Sequence, residues 1–138
     1  MIAAATPMPV IYTIDRPERV VYLTTVGAPS FEEWRDALLG VFSDPAFETG
    51  FHFISDRRRA RAPDAEFVER QVVFVRGHEQ KLGRCRWAAV VPDPATDEAA
   101  RAVTNRAGVP DVEVGFFYDL AAARRWVFRP VTEVHDDA

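Results

Sequence analysis

The sequence predicts a single α/β domain: a mixed, mostly parallel sheet with helices packed on it, in the order ββαβαβαβα. Three observations carry that expectation. Runs rich in β-branched and aromatic residues alternate with stretches whose apolar residues recur at helical spacing. The first two β-type runs follow each other across a short turn, whereas the later ones are separated by helix-length segments, as parallel neighbours require. Finally, 138 residues without an internal repeat or a low-complexity linker suit one core rather than two.

Val10–Asp15 (VIYTID) reads as the first strand, and Asp15 and Pro17 then turn the chain. Arg19–Val26 (RVVYLTTV) returns as its hairpin partner and ends at Gly27 and Pro29. Ser30 starts a helix, because Ser30 and Glu33 have capping-box spacing. Phe31, Trp34, Leu38 and Phe42 then recur on one helix face. That helix stops before Asp44-Pro45, and Gly50 leads into a third strand, Phe51–Ser55. Pro63 and Asp64 open a second helix with Phe67, Val68, Val72 and Val75 facing inward, ended or weakened at Gly77. Trp87–Val91 (WAAVV) is apolar enough for a strand covered on both faces. A third helix is expected over Thr96–Ala107, with Ala99, Ala100 and Val103 as its inner face. Val112–Tyr118 is the fifth strand, and Asp119 caps a last helix through Phe128, anchored by Leu120, Ala123 and Trp126 or Val127. Residues 1–9 read as a flexible lead-in, 10–129 as the domain and 130–138 as a frayed acidic tail.

With 48% apolar and 28% charged residues, the balance is that of a soluble globular protein. A net charge of −4 removes the long-range attraction a nucleic-acid binder needs, so no nucleic acid is expected and any basic site must be local. Cys85 is the only cysteine, which excludes an intramolecular disulfide and paired-thiolate zinc and fits a reducing compartment. No window approaches the roughly 18 to 20 apolar residues of a membrane helix. The N-terminus lacks the basic and apolar regions of a signal peptide, so a cytoplasmic location is expected.

The stretch Ile54–Arg70, ISDRRRARAPDAEFVER, carries the candidate site. Ligands of open α/β sheets favour the carboxyl ends of strands. There Arg57, Arg58, Arg59 and Arg61 form a loop that ends at a helix N-terminus, a place with donors and positive potential for an anion. Asp56 is the supporting residue, expected to pair with one arginine. Asp64 takes a cap position and competes with an anion. The alternative is a set of arginines that are solvated or paired with Asp56, Asp64 and Glu66, in a chain where Lys81 is the only lysine.

Other candidates read as structural. Cys85 stands between Arg84 and Arg86 but begins a buried strand, where cysteine acts as a small hydrophobe. His52, His78 and His135 share no metal-ligand spacing, and His52 reads as a partly buried, hydrogen-bonded residue. Ser30, Ser43 and Ser55 lie in no nucleophile elbow, and there is neither a Gly-x-Gly-x-x-Gly nor a Walker loop, so no cofactor is expected. Phe116–Asp119 (FFYD) and Trp126 suit core or cavity lining.

The segments ERVVYLTTVG, SFEEWRDALL, DPAFETG, FISDRR, RWAAVV and VGFFYDLAAARRWV, together spanning roughly residues 10 to 128, resemble the SpoIIAA-like group of the STAS/SEC14 domains. The resemblance implies a compact α/β sandwich that serves binding or regulation without catalysis. Anti-sigma-factor antagonists of the STAS type carry a phosphorylatable serine just after the third strand. Here Arg57, Arg58 and Arg59 occupy those places. Ser55 is expected at the strand end, pointing to a different side from the loop residues, so a phospho-switch is not expected. The function read from the sequence is a non-enzymatic module for a small anionic or lipid-like ligand or a protein partner. The alternative is an enzyme built on Asp56 and the loop arginines. A deep pocket joining Asp56, an arginine and an ionisable neighbour would favour the enzyme. The short first strand near a sheet edge allows a monomer or a homodimer.

Overall fold

β1 (Val10–Asp15) and β2 (Val20–Gly27) form the opening antiparallel hairpin, with Asp15 paired to Val20 and Val10 to Thr25. Asp15 accepts the Glu18 N–H within the turn at 2.9 Å. The computed structural model of the chain describes residues 9–93, 98, 101, 102, 104 and 108–130. The helix expected over Thr96–Ala107, the lead-in 1–9 and the tail 130–138 lie largely outside the described residues.

Both arms of the capping box are present at the start of α1 (Phe31–Ser43). Ser30 accepts from the Glu33 N–H, and the Glu33 carboxylate accepts from the Ser30 N–H. β3 (His52–Ala60) follows, then α2 (Ala65–Gly77), capped by Asp64 through the Phe67 N–H. Gly77 does not release the chain into a loop: a further turn of helix, α3 (Glu79–Leu82), follows at once. His78 holds this corner, its ring stacked on Phe74 and Phe42 and its Nδ1 2.7 Å from the Phe74 carbonyl. β4 (Cys85–Val90), β5 (Val112–Phe117) and α4 (Leu120–Val127) complete the described elements, α4 being capped by Asp119.

The five strands lie in the order β1-β2-β3-β4-β5, and every pairing after the hairpin is parallel. The expected class, a mixed and mostly parallel sheet with helices, is the one observed. Right-handed crossovers that always step in one direction place their helices on one face. Accordingly α1 and α2 share a core with Val21, Leu23, Phe53 and Cys85. α4 covers the opposite face, where Ala123 and Val127 pack on Val20, Ile54, Ala88 and Val90. Strand residues thus alternate between the two cores, as the period of two demands.

Candidate ligand-binding site

The site begins with two small side chains where large ones would close the core. On the face covered by α1 and α2, Ser55, Ala89 and Phe116 stand side by side across β3, β4 and β5. In the row before them, Phe53, Trp87 and Val114, the Phe53 and Trp87 rings stack at 4.3 Å and 10°, and Trp87 and Val114 border the open space. Over Ser55 and Ala89, α2 presents Val68, Gln71, Val72 and Val75, and Trp34 closes the α1 side. Serine and alanine cannot reach these partners. The result is a cavity of about 330 Å³. Thr104, Gly108 and Val109 border it beyond β5.

β3 departs from the sequence expectation in a way that shapes this site. It does not stop at Ser55 but continues to Ala60, so Arg57, Arg58 and Arg59 belong to a strand and not to a loop. β4 ends opposite Asp56, and beyond that point β3 pairs with β2 alone. Between Thr24 and Val26 of β2 the register jumps from Asp56 to Arg59, a bulge with the extra residue on β3. The pairing with β2 favours a strand here despite the run of charge, because the backbone groups of 57–60 gain partners while the long side chains stay at the margin of the sheet.

Arg57, two places after Ser55, shares its face and reaches the cavity. Ser55 itself is buried in mid-strand and on the same side as Arg57, which corrects its expected place at the strand end and its expected direction. A second chamber of about 190 Å³ adjoins the first, with Thr25, Ala60, Arg61, Asp64 and Phe67 in its walls. Trp34, Ser55, Arg57 and Gln71 line both chambers and mark the junction.

The remaining loop candidates do not converge on that junction. Asp56 alternates to the other face and is held by Arg58 in a two-point contact, Nη2 to Oδ2 at 2.8 Å and Nε to Oδ1 at 3.0 Å. The Arg58 guanidinium keeps the Asp56 carboxyl below its ordinary range, and Asp56, with Asp119 beyond it, raises Arg58 in return. Arg59 is exposed and lines neither chamber, while Arg61 borders the smaller one. Asp64 accepts from the Phe67 N–H at 2.8 Å, so a carboxylate already occupies the N-terminus of α2.

Cys85 and His52 take no part in the cavity. Burial pushes the Cys85 thiol up to about 12. The Nδ1 of His52 accepts the Arg86 N–H at 2.9 Å, and burial, then the charges of Arg86 and Arg19, lower its pKa. The aromatic segment at the end of β5 divides: Phe116 faces the cavity, and Phe117 packs on Trp126 under α4. Trp34, Trp87, Ala89 and Gln71 were not legible as site residues in advance. One signal was available, since Gln71 falls at the centre of the otherwise apolar stripe Phe67, Val68, Val72 and Val75.

A sheet with one antiparallel edge and, among the described residues, α1 and α2 on one face and α4 on the other is an α/β sandwich of the SpoIIAA-like fold. A solved structure with that fold, an uncharacterised protein of the DUF3478 family from Shewanella loihica PV-4, superposes with a TM-score of 0.61 at 15% identity, covering 91% of this chain and 98% of its own. No family model and no curated protein matches the chain. Among the described residues no helix is long and apolar enough to cross a membrane.

Proposed function

We propose that the chain is a non-enzymatic binding or regulatory module whose small anionic or lipid-like ligand sits between α2 and the β3–β5 face. The observation that carries this reading is the junction itself: an apolar chamber that ends at Ser55, Gln71 and Arg57. Pockets of this size and make-up, apolar walls with a few convergent polar groups, are the usual form of small-molecule sites. The enzyme alternative needs Asp56 beside that junction, and Asp56 is engaged with Arg58 on the other face. Asp64, the one carboxylate among the described residues lining either chamber, is spent on the helix cap. The same reading keeps the chain cytoplasmic, as a monomer or as a homodimer through the β1 edge.

The test is a thermal-shift screen in low salt against small anions, nucleotides and fatty acids, run on the wild type and on Ala89→Leu, which fills the chamber floor. A ligand at a hundred times its Kd adds about 2.7 kcal/mol, a shift of several degrees for a domain of this size. A hit lost in Ala89→Leu supports the reading. A hit that persists there moves the site elsewhere. The absence of any hit turns the search to a protein partner at the exposed arginines of β3.

A further inference from the structure

We infer that the cavity selects an apolar monocarboxylic acid of on the order of ten to fifteen non-hydrogen atoms, its carboxylate at Arg57, Ser55 and Gln71 and its body over Trp87, Val72 and Phe116. The inference rests on the proposed binding role of the same cavity and specifies what that role would recognise.

Size gives the first constraint. A chamber of about 330 Å³ lies at the lower end of the range for small-molecule sites. It holds the volume of roughly ten water molecules at about 30 Å³ each, enough for a short acyl chain or a single aromatic ring with a short tail. Polarity gives the second. Val68, Val72, Val75, Val112, Val114 and Phe116 make the body of the chamber apolar, whereas Ser55, Arg57 and Gln71 gather at the end that opens on the smaller chamber. A ligand that satisfies both ends is amphiphilic, with one polar terminus.

Charge decides what that terminus is. Arg57 is the one cation among the described residues lining the larger chamber, and no described carboxylate lines it. A guanidinium carries five N–H donors in a planar fork, so a carboxylate can be taken bidentately alongside any other partner Arg57 has. The Ser55 hydroxyl and the Gln71 amide supply further donors. A phosphate dianion fits less well, because the one guanidinium of the larger chamber balances one charge, and the next cation, Arg61, lines only the adjoining chamber, beside Asp64. A cationic head is repelled by Arg57. Two further features preorganise the site: the ring stack with Phe53 holds Trp87 in place, and pairing with β2 holds the backbone that carries Arg57.

The experiment is calorimetric titration of the purified full chain with octanoate, octanamide, 4-phenylbutyrate, 4-phenylbutyramide, octyl phosphate and hexadecanoate, with Trp34 and Trp87 fluorescence as a second readout. The expected result is binding of at least one of the two short acids about tenfold or more tighter than its amide and tighter than octyl phosphate, with hexadecanoate no tighter than octanoate. The acyl and aryl pairs distinguish the two sources of this chemistry. Arg57→Gln should bring the acid down to the level of its amide, and Ala89→Leu should abolish both. Arg57→Lys, which keeps the charge and loses the fork, should fall between and serves if Arg57→Gln does not fold. Equal affinities of acid and amide, or an acid preference that survives both Arg57 variants, would overturn the carboxylate assignment while loss of binding in Ala89→Leu upholds the cavity. Binding unchanged in Ala89→Leu, or no binding by any of the six compounds, overturns both.

Discussion

A buried guanidinium near the start of a strand needs several acceptors, and Arg86 finds them at the end of the last helix. Its Nη1 donates to the carbonyls of Trp126, Val127 and Arg129 at 2.9, 3.4 and 2.7 Å, and its Nε reaches Glu113 at 3.3 Å. These include orphan carbonyls of a helix C-terminus, where positive charge also suits the dipole. Arg86→Met should therefore cost about 2–4 kcal/mol in urea unfolding, and Arg86→Lys should recover only part of it. Acid sensitivity is set partly at Glu18, whose pKa is drawn down to about 2, first by the hydrogen bond from Arg124 and then by that from Tyr22. Because the unfolded chain takes up this proton first, the stabilisation is complete above pH 4.5 and disappears as the pH falls toward about 2. Tyr22, raised to about 12 chiefly by burial, works at the other end: its contribution holds below pH 10 and is lost as the pH climbs toward about 12. His52, lowered from 6.5, adds a loss that sets in as the pH falls below that value. Stability measured by urea from pH 2 to 8 should thus fall at low pH, and Glu18→Gln should shrink that slope without removing the contribution of Asp56. Cys85, buried and with its thiol raised to about 12, should resist a thiol reagent in the folded protein and react at once in urea.

At the scale of elements, the end of β3 and the turn before β4 set the geometry of the site. The bulge between Thr24 and Val26 lies just where β4 ends, and Arg57 stands there at the rim of the cavity, with Arg58 turned to Asp56. Gly83 is required at the other end of the sheet. It holds φ +70°, and a Cβ there would stand 2.5 Å from Thr49 Cγ2 and 3.3 Å from the Gly50 nitrogen. The Gly50 N–H donates to the Leu82 carbonyl at 2.9 Å, and Thr49 Oγ1 to that of Lys81, so the α3–β4 turn and the start of β3 are stitched together here. Gly83→Ala should destabilise by about 1–3 kcal/mol, read from the urea midpoint, with the m-value unchanged.

On the scale of the whole molecule, the two cores share one sheet, so neither should unfold alone. Trp34 and Trp87 report the α1–α2 face and Trp126 the α4 face. Denaturation followed by the fluorescence of Trp126→Phe, which retains the first two, should coincide with the far-UV circular dichroism of the same variant in a single transition. Two separated transitions would show that α4 and its contacts come off first.

The order of elements and the helix caps were readable because they depend on local chemistry. Ser30 with Glu33, Asp64, Asp119 and the apolar spacing of α1 and α2 act within a few residues, and consecutive strands step across the sheet in one direction. The arginine run was misread for the opposite reason. Whether 57–60 forms a strand depends on the free edge of β2, and which arginine reaches the cavity depends on the strand period and a bulge. The cavity is a property of neither β3 nor β4 alone. It exists because parallel register sets Ser55 beside Ala89 beneath Gln71, residues separated by up to 34 positions in the chain. Local propensity determined the order of elements and their caps in this protein, and long-range pairing decided the end of β3 and the cavity, since a void is made by the absence of atoms from several segments at once.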